Sequence, residues 1–152
     1  MKDEEAVKVL RAALRAQNLG VLATFGEEYP YASLVGFVGG EDGRIIVFAT
    51  LRNTRKFSYL TARPEVSILI NNGLNSSSDF NDAVAVTALG RASEVPSSEH
   101  GTVKALYLGK FPYLEDFIND PACVFVKVEV NKYIVVNGLR EVREIFVPGE
   151  KS

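Results

Sequence analysis

The sequence has 152 residues, 47% of them hydrophobic and 24% charged, with a net charge of −2 at neutral pH. That length suits a single domain whose core needs no metal or disulfide to hold it, and the near-neutral balance argues against broad electrostatic attraction to nucleic acid or an anionic membrane. The one cysteine, Cys123, excludes an intramolecular disulfide and fits a reducing compartment. No apolar run approaches the roughly 20 residues that span a bilayer, and the charged start Met1-Lys2-Asp3-Glu4-Glu5 does not resemble a signal core. A soluble, cytoplasmic protein with no membrane partner is the expectation.

The first element is a helix from about Asp3 to Gln17. Asp3 can cap it, Glu4 and Glu5 suit its first turn, and Val7, Leu10 and Leu14 share a face. Asn18 and Gly20 mark its end. Strands follow at Val21 to Phe25 and Tyr31 to Val38, separated by a polar turn at Gly26-Glu27-Glu28. A third strand, Arg44 to Ala49, comes after the glycine-rich turn of residues 39–43, as in a hairpin. Asn53 to Ala62 reads as a short helix stopped before Pro64. Further strands are expected at Val66 to Asn71 and Ala83 to Val95, with a long polar loop from Asn72 to Asp82 between them.

Two short helices, about Glu99 to Leu108 and Tyr113 to Asn119, are broken at Phe111-Pro112. Ala122 to Asn131 has the clearest alternation, with Val124, Val126, Val128 and Val130 on one face and Lys127 and Glu129 on the other. Strands around Tyr133 to Val136 and Val142 to Val147 finish the chain. Six to eight strands joined by short turns imply an antiparallel sheet, which removes its exposed edges most simply by closing into a barrel. The expected fold class is mainly β, with small helical additions.

Much chemistry is excluded. The only histidine is His100, so histidine and cysteine together supply at most two zinc ligands. Cys123 stands among valines, as a small buried hydrophobe would. Neither a phosphate-binding loop, nor a dinucleotide fingerprint, nor a nucleophile elbow is present. Difficult chemistry would fall to a bound cofactor.

One segment, Phe48-Ala49-Thr50-Leu51-Arg52-Asn53-Thr54-Arg55-Lys56, runs from a strand end into a helix start. Basic residues in a first helical turn face the positive end of the helix dipole. An anion held by free backbone N–H groups, Thr50, Thr54, Arg55 and Lys56 would remove the conflict. The residues alone leave a second reading open, a solvated basic turn capped by Thr54 or Asn53.

The segment resembles the phosphate turn of the pyridoxamine phosphate oxidase-like, FMN-binding split-barrel superfamily. That turn has a Thr closing a strand, a Ser or Thr four residues later, Arg-Lys, a short helix, and a proline before the next strand. Here these are Thr50, Thr54, Arg55-Lys56 and Pro64, followed by Val66-Ser67-Ile68-Leu69-Ile70. Pro30-Tyr31-Ala32-Ser33-Leu34-Val35 is similar to the family's flavin-facing strand. The run from Lys104 to Phe117 is similar to one uncharacterised branch.

The resemblance implies a split barrel that binds flavin mononucleotide (FMN). Arg55, Lys56, Thr54 and Thr50 would hold the phosphate. Ser33, Leu34 and Val35 would offer backbone groups to the ring edge, with Ala49 leaving room beside it and Asn71 in reach. It also implies a homodimer with flavins at the interface, where the loop from Asn72 to Asp82 would cover the partner's site. The chain departs from the authentic oxidase, which has a C-terminal Trp and an arginine pair. Here there is no Trp, the ending is Arg140-Glu141-Val142-Arg143, and Ala85 stands where the oxidase uses a glutamine. Oxidation of pyridoxamine phosphate is therefore not expected. The leading expectation is an FMN-dependent oxidoreductase acting on an unknown small molecule, with NADH or NADPH as a candidate electron donor. A non-catalytic flavin or electron carrier is the alternative, and relatives that hold deazaflavin or haem use a similar scaffold. Nucleic acid is not expected as a partner, since only Arg52 to Lys56 form a basic cluster.

Overall fold

The computed structural model describes residues 1–72, 82–138 and 140–147. Most of the loop expected to cover a partner's site, residues 73–81, lies outside them. The elements are α1 (Asp3–Ala16), β1 (Leu19–Phe25), β2 (Pro30–Gly39), β3 (Ile45–Leu51), α2 (Arg55–Ala62), β4 (Glu65–Asn71) and β5 (Val84–Glu94). After them come α3 (His100–Lys110), α4 (Glu115–Ile118), β6 (Cys123–Asn137) and β7 (Glu141–Phe146), with short 3-10 turns before α3 and α4. All strand pairings are antiparallel, in the order β3-β2-β1-β4-β5-β6-β7, and an added β3–β6 pairing closes the first six into a barrel. The expected mainly β barrel is what the chain forms.

Alternation along the strands decides the inside. Leu22, Val35, Phe37, Phe48, Ile68 and Val126 point inward and are buried. Phe37 and Phe48 face each other across β2 and β3 with no exposed surface, and each such side chain contributes roughly 1.5–3 kcal/mol. α1 packs Leu10 and Leu14 against this core, and α2 packs Phe57 and Leu60 against it. A second apolar cluster lies outside the barrel, where Tyr107 and Phe111 of the α3 region cover Val47, Ala49 and Phe125.

Several boundaries differ from the sequence reading. Lys2, not Asp3, is the α1 N-cap, and it makes no side-chain capping bond; Asp3 is the first helical residue. Gly20 does not end that helix but is already in β1, where a Cβ would meet the Ile68 side chain at 2.9 Å. The two strands expected over Ala122 to Asn131 and Tyr133 to Val136 are one strand, β6. Val130 pairs with Gly90 and Lys132 with Leu89, so Asn131 is an extra residue, a β-bulge. The bulge moves the inward set from Val124, Val126, Val128 and Val130 to Tyr133 and Val135, and the broken period reads as a strand end. Gly90 is required at the bulge, because a Cβ there would lie against the Glu129 carbonyl oxygen. β6 also changes partner along one edge, pairing with β3 over Cys123–Glu129 and with β7 over Lys132–Asn137.

Candidate functional site

Pairing between β2 and β3 stops early. Only Phe37↔Phe48, Val38↔Val47 and Gly39↔Ile46 are in register contact, whereas β3 continues to Leu51 and β2 begins at Pro30. Beyond that point β2 pairs with β1 alone and the barrel is split. If the register continued, Gly36 would face Ala49, Val35 would face Thr50 and Leu34 would face Leu51. The Phe37 N–H donates to the Asn18 carbonyl on the β1 side. Backbone groups alternate in direction along a strand, so Leu34 and Gly36 aim their N–H and C=O into the split. Leu34 thus presents one donor and one acceptor side by side.

Side-chain directions follow from the same alternation. Val35 points into the core, whereas the Leu34 side chain points outward and is 64% exposed. Ser33 shares the inward phase of Val35, and its Oγ is buried with no hydrogen-bond partner among the described residues. An orphaned hydroxyl costs roughly 1–3 kcal/mol, and this one stands beside an unpaired strand edge.

Across the split, β3 leads into α2. Thr54 is the N-cap of α2; its Oγ1 accepts from the Phe57 N–H at 3.4 Å and donates to the Leu51 carbonyl at 2.8 Å. Thr50 Oγ1 lies 3.3 Å from Thr54 Oγ1. Thr54 has one hydroxyl proton and it goes to Leu51, so Thr50 is the donor in that contact. The N–H groups of Arg55 and Lys56 have no acceptor among the described residues. These are the orphan donors that every helix start leaves. The side chains of Arg55 and Lys56 make no ion pair or hydrogen bond among the described residues either. Arg52 differs, because its guanidinium is held by Glu94 through two bonds of 3.1 and 3.0 Å.

The structure therefore brings Thr50, Thr54, Arg55 and Lys56 together at the α2 end of the split, with Ser33, Leu34 and Val35 on its opposite edge. Ala49 points outward beneath α3 in the second apolar cluster. Asn71 is not part of this group. It ends β4, whose other end, Glu65, is the one joined to α2. Ala85 lies opposite Asn71 on β5. Arg143 is tied to the Met1 carbonyl at 2.6 Å and to Asp3 at 3.7 Å.

Residues that local sequence patterns did not single out complete the site. Tyr107 Oη donates to the Gly36 carbonyl at 3.1 Å, on the split side of β2. Lys110, one turn on, donates to the Phe37 carbonyl at 2.9 Å, on the β1 side, and to the Leu14 and Gln17 carbonyls at the end of α1. Burial lowers the Lys110 ammonium to about 8. α3 thus grips successive carbonyls on opposite edges of β2. No local signal exposes these contacts; only the Tyr107-to-Phe111 spacing on one helix face hints at a buried surface.

The arrangement can hold an anionic group at the α2 start and a flat, hydrogen-bonding edge along Leu34. No side chains at the split form a nucleophile–base pair, and no group of His, Cys, Asp and Glu suited to a metal occurs among the described residues. His100 opens α3 with its ring 5.1 Å from that of Phe125. Burial pushes the Cys123 thiol up, away from thiolate chemistry.

A family model described as pyridoxamine 5'-phosphate oxidase matches residues 6–136. No curated protein sequence matches the chain. Among solved structures, a haem-binding protein from Mycobacterium smegmatis superposes with a TM-score of 0.82 at 22% identity, over 93% of this chain and 57% of that one. A FAD-binding protein from Mesorhizobium loti superposes with a TM-score of 0.67 at 16% identity, over 95% of this chain and 96% of that one. A putative pyridoxamine 5'-phosphate oxidase from Listeria innocua gives 0.67 at 19% identity, over 88% and 99%. This chain therefore spans little more than half of the mycobacterial protein, and at these identities the likeness is one of fold.

Proposed function

The chain belongs to the pyridoxamine 5'-phosphate oxidase family, and from that premise we propose that it binds FMN in the split between β2 and β3 and works as an FMN-dependent oxidoreductase. The observation that carries this reading is the pairing of two unsatisfied surfaces across one gap. On one side stand the N–H groups and the cations of Arg55 and Lys56 at the start of α2, without partners among the described residues. On the other stand the Leu34 donor–acceptor edge and the orphaned Ser33 Oγ. A phosphate suits the first surface, and the hydrogen-bonding edge of an isoalloxazine suits the second.

In this reading Arg55 and Lys56 neutralise the phosphate, and Thr54 fixes the helix start that aims the N–H groups at it. Thr50 turns its hydroxyl from Thr54 towards the phosphate. Leu34 orients the ring edge through its backbone, Ser33 supplies a further hydroxyl, and Val35 closes the inward side. Asn71 can contribute only from the far end of β4. Bound flavin supplies hydride and electron transfer, which the chain's own side chains do not. NADH or NADPH would approach the ring as donor, since no dinucleotide fingerprint provides a standing site.

We also propose that the active form is a homodimer. Outside the barrel, Leu34, Val21 and Leu69 lie side by side in register across β2, β1 and β4. Leu34 and Leu69 are 64% and 40% exposed, with Leu19 and Phe25 exposed nearby. A contiguous apolar sheet face adjoining the split suits a second copy, which would also shield the ring. No helix among the described residues is long and apolar enough to cross a membrane, consistent with the proposed cytoplasmic location.

The absorbance spectrum of the purified protein, before and after incubation with FMN and with haem, tests the cofactor assignment. Bands of a protein-bound flavin are expected. A Soret band from haem uptake, with no retention of FMN, would overturn it.

A further inference from the structure

The split needs something to hold its two edges at a fixed distance. Gly36 and Ala49 face each other where the next β2–β3 rung would form. Strand alternation aims the backbone groups of both residues at the gap between them. The rung is absent, and the Tyr107 hydroxyl stands in its place. Its Oη donates to the Gly36 carbonyl at 3.1 Å, and the Ala49 backbone N–H faces the same oxygen. The ring is 2% exposed and fixed between Phe111 and Phe125, at centroid distances of 5.1 and 5.6 Å. Phe125 is itself the β6 partner of Ala49. Gly36 has little room for a side chain, because a Cβ would come within 3.3 Å of Tyr107 Oη.

We propose that Tyr107 is a positioning residue: its hydroxyl replaces one rung of the β2–β3 ladder and fixes the width of the split, so that the Leu34 edge is presented to a ligand's ring. The role of the ring edge rests on the FMN reading, but the rung itself does not. A hydroxyl set between a carbonyl and an amide satisfies the carbonyl and separates the strands by more than a direct bond allows. Lys110, bonded to the Phe37 carbonyl from the same helix, prevents β2 from sliding as the edges part. α3 thus sets the geometry of a site with which it shares no sequence neighbourhood.

The test uses Tyr107→Phe, which removes one oxygen and keeps the ring, with Gly36→Ala as a second variant that displaces the hydroxyl. In the ligand-free protein, amide hydrogen exchange at Ala49 should quicken by about tenfold in Tyr107→Phe, the size of one lost hydrogen bond. Titrations should show FMN and riboflavin weakened by the same factor, because the ring edge and not the phosphate is affected. A merely packing role predicts Ala49 exchange and both affinities as in the unsubstituted protein, and that result would overturn the proposal. Faster exchange with unchanged affinities would overturn the positioning role. Faster exchange in a protein that binds no flavin at all would uphold the rung and refute the FMN reading.

Discussion

The hydroxyls of Thr50 and Thr54 lie 3.3 Å apart, with Thr54 spending its proton on the Leu51 carbonyl and Thr50 donating to Thr54. The two threonines therefore do different work. Thr54 caps α2, whereas the buried Thr50 holds a proton it can redirect. Thr54→Ala should cost about 1 kcal/mol of stability and also weaken FMN binding. Thr50→Val keeps the shape and the cap, so it should weaken FMN with a smaller loss of stability. Thermal denaturation and FMN titration of both variants check this, and equal destabilisation would contradict the division of roles.

The outward-facing row of Leu34, Val21 and Leu69, whose two leucines are exposed, predicts a dimer. Sedimentation at micromolar protein should report twice the chain mass. Leu69→Glu places a charge on the outer face while leaving inward Ile68 and Ile70 untouched, and should give a folded monomer that holds flavin more weakly. A flavin-loaded monomer of the unsubstituted protein would contradict the interface.

Alkaline stability should depend on buried phenols. Burial pushes Tyr107 up to about 12 and raises Tyr133 as well, against an unfolded value near 10. A phenol that binds its proton more tightly when folded stabilises fully below its unfolded pKa and loses that contribution as pH rises through the folded one. Urea midpoints should therefore fall from about pH 10 upward. Tyr107→Phe should lower the neutral-pH midpoint and make the alkaline decline shallower. An unchanged slope would show that Tyr107 is not the group involved.

Electron transfer can be tested by anaerobic stopped-flow mixing of FMN-loaded protein with NADH, NADPH and pyridoxamine phosphate. Bleaching by a nicotinamide is expected and bleaching by pyridoxamine phosphate is not, given the missing Trp and the engagement of Arg143 with Met1 and Asp3. Rapid reduction by pyridoxamine phosphate would contradict the second half, and a flavin that neither nicotinamide reduces would point to a binding protein.

Local patterns carried much of this fold. Alternation at Val124 to Val130 and the glycine-rich hairpin turn act within a few residues and are readable, and the cap of α2 narrows to Thr54 or Asn53. What was not readable depends on distant partners or broken periods. The Asn131 bulge shifts the phase of β6 and disguises one strand as two. Arg52 looks like part of the basic cluster until Glu94, 42 positions away, takes its guanidinium. The face of Ser33 depends on pairing with β1, and the split is an absence of pairing that no local pattern encodes. Tyr107 meets Gly36 across 71 positions, so its place at the split belongs to tertiary structure alone.

In the proposed complex FMN is held by its phosphate at the start of α2. Calorimetric titration of FMN and riboflavin into the unsubstituted protein, Arg55→Ala, Lys56→Ala and Arg52→Ala separates phosphate contacts from ring contacts. A hydrogen bond to a charged group contributes roughly 1.5–3 kcal/mol, so Arg55→Ala and Lys56→Ala should each weaken FMN by more than about tenfold. Riboflavin, which lacks the phosphate, should bind all four proteins alike, and Arg52→Ala should retain FMN because Glu94 already occupies that side chain. Normal FMN binding by both the Arg55 and Lys56 variants would place the phosphate elsewhere, and no FMN binding by the unsubstituted protein at micromolar concentration would rule out FMN as the ligand.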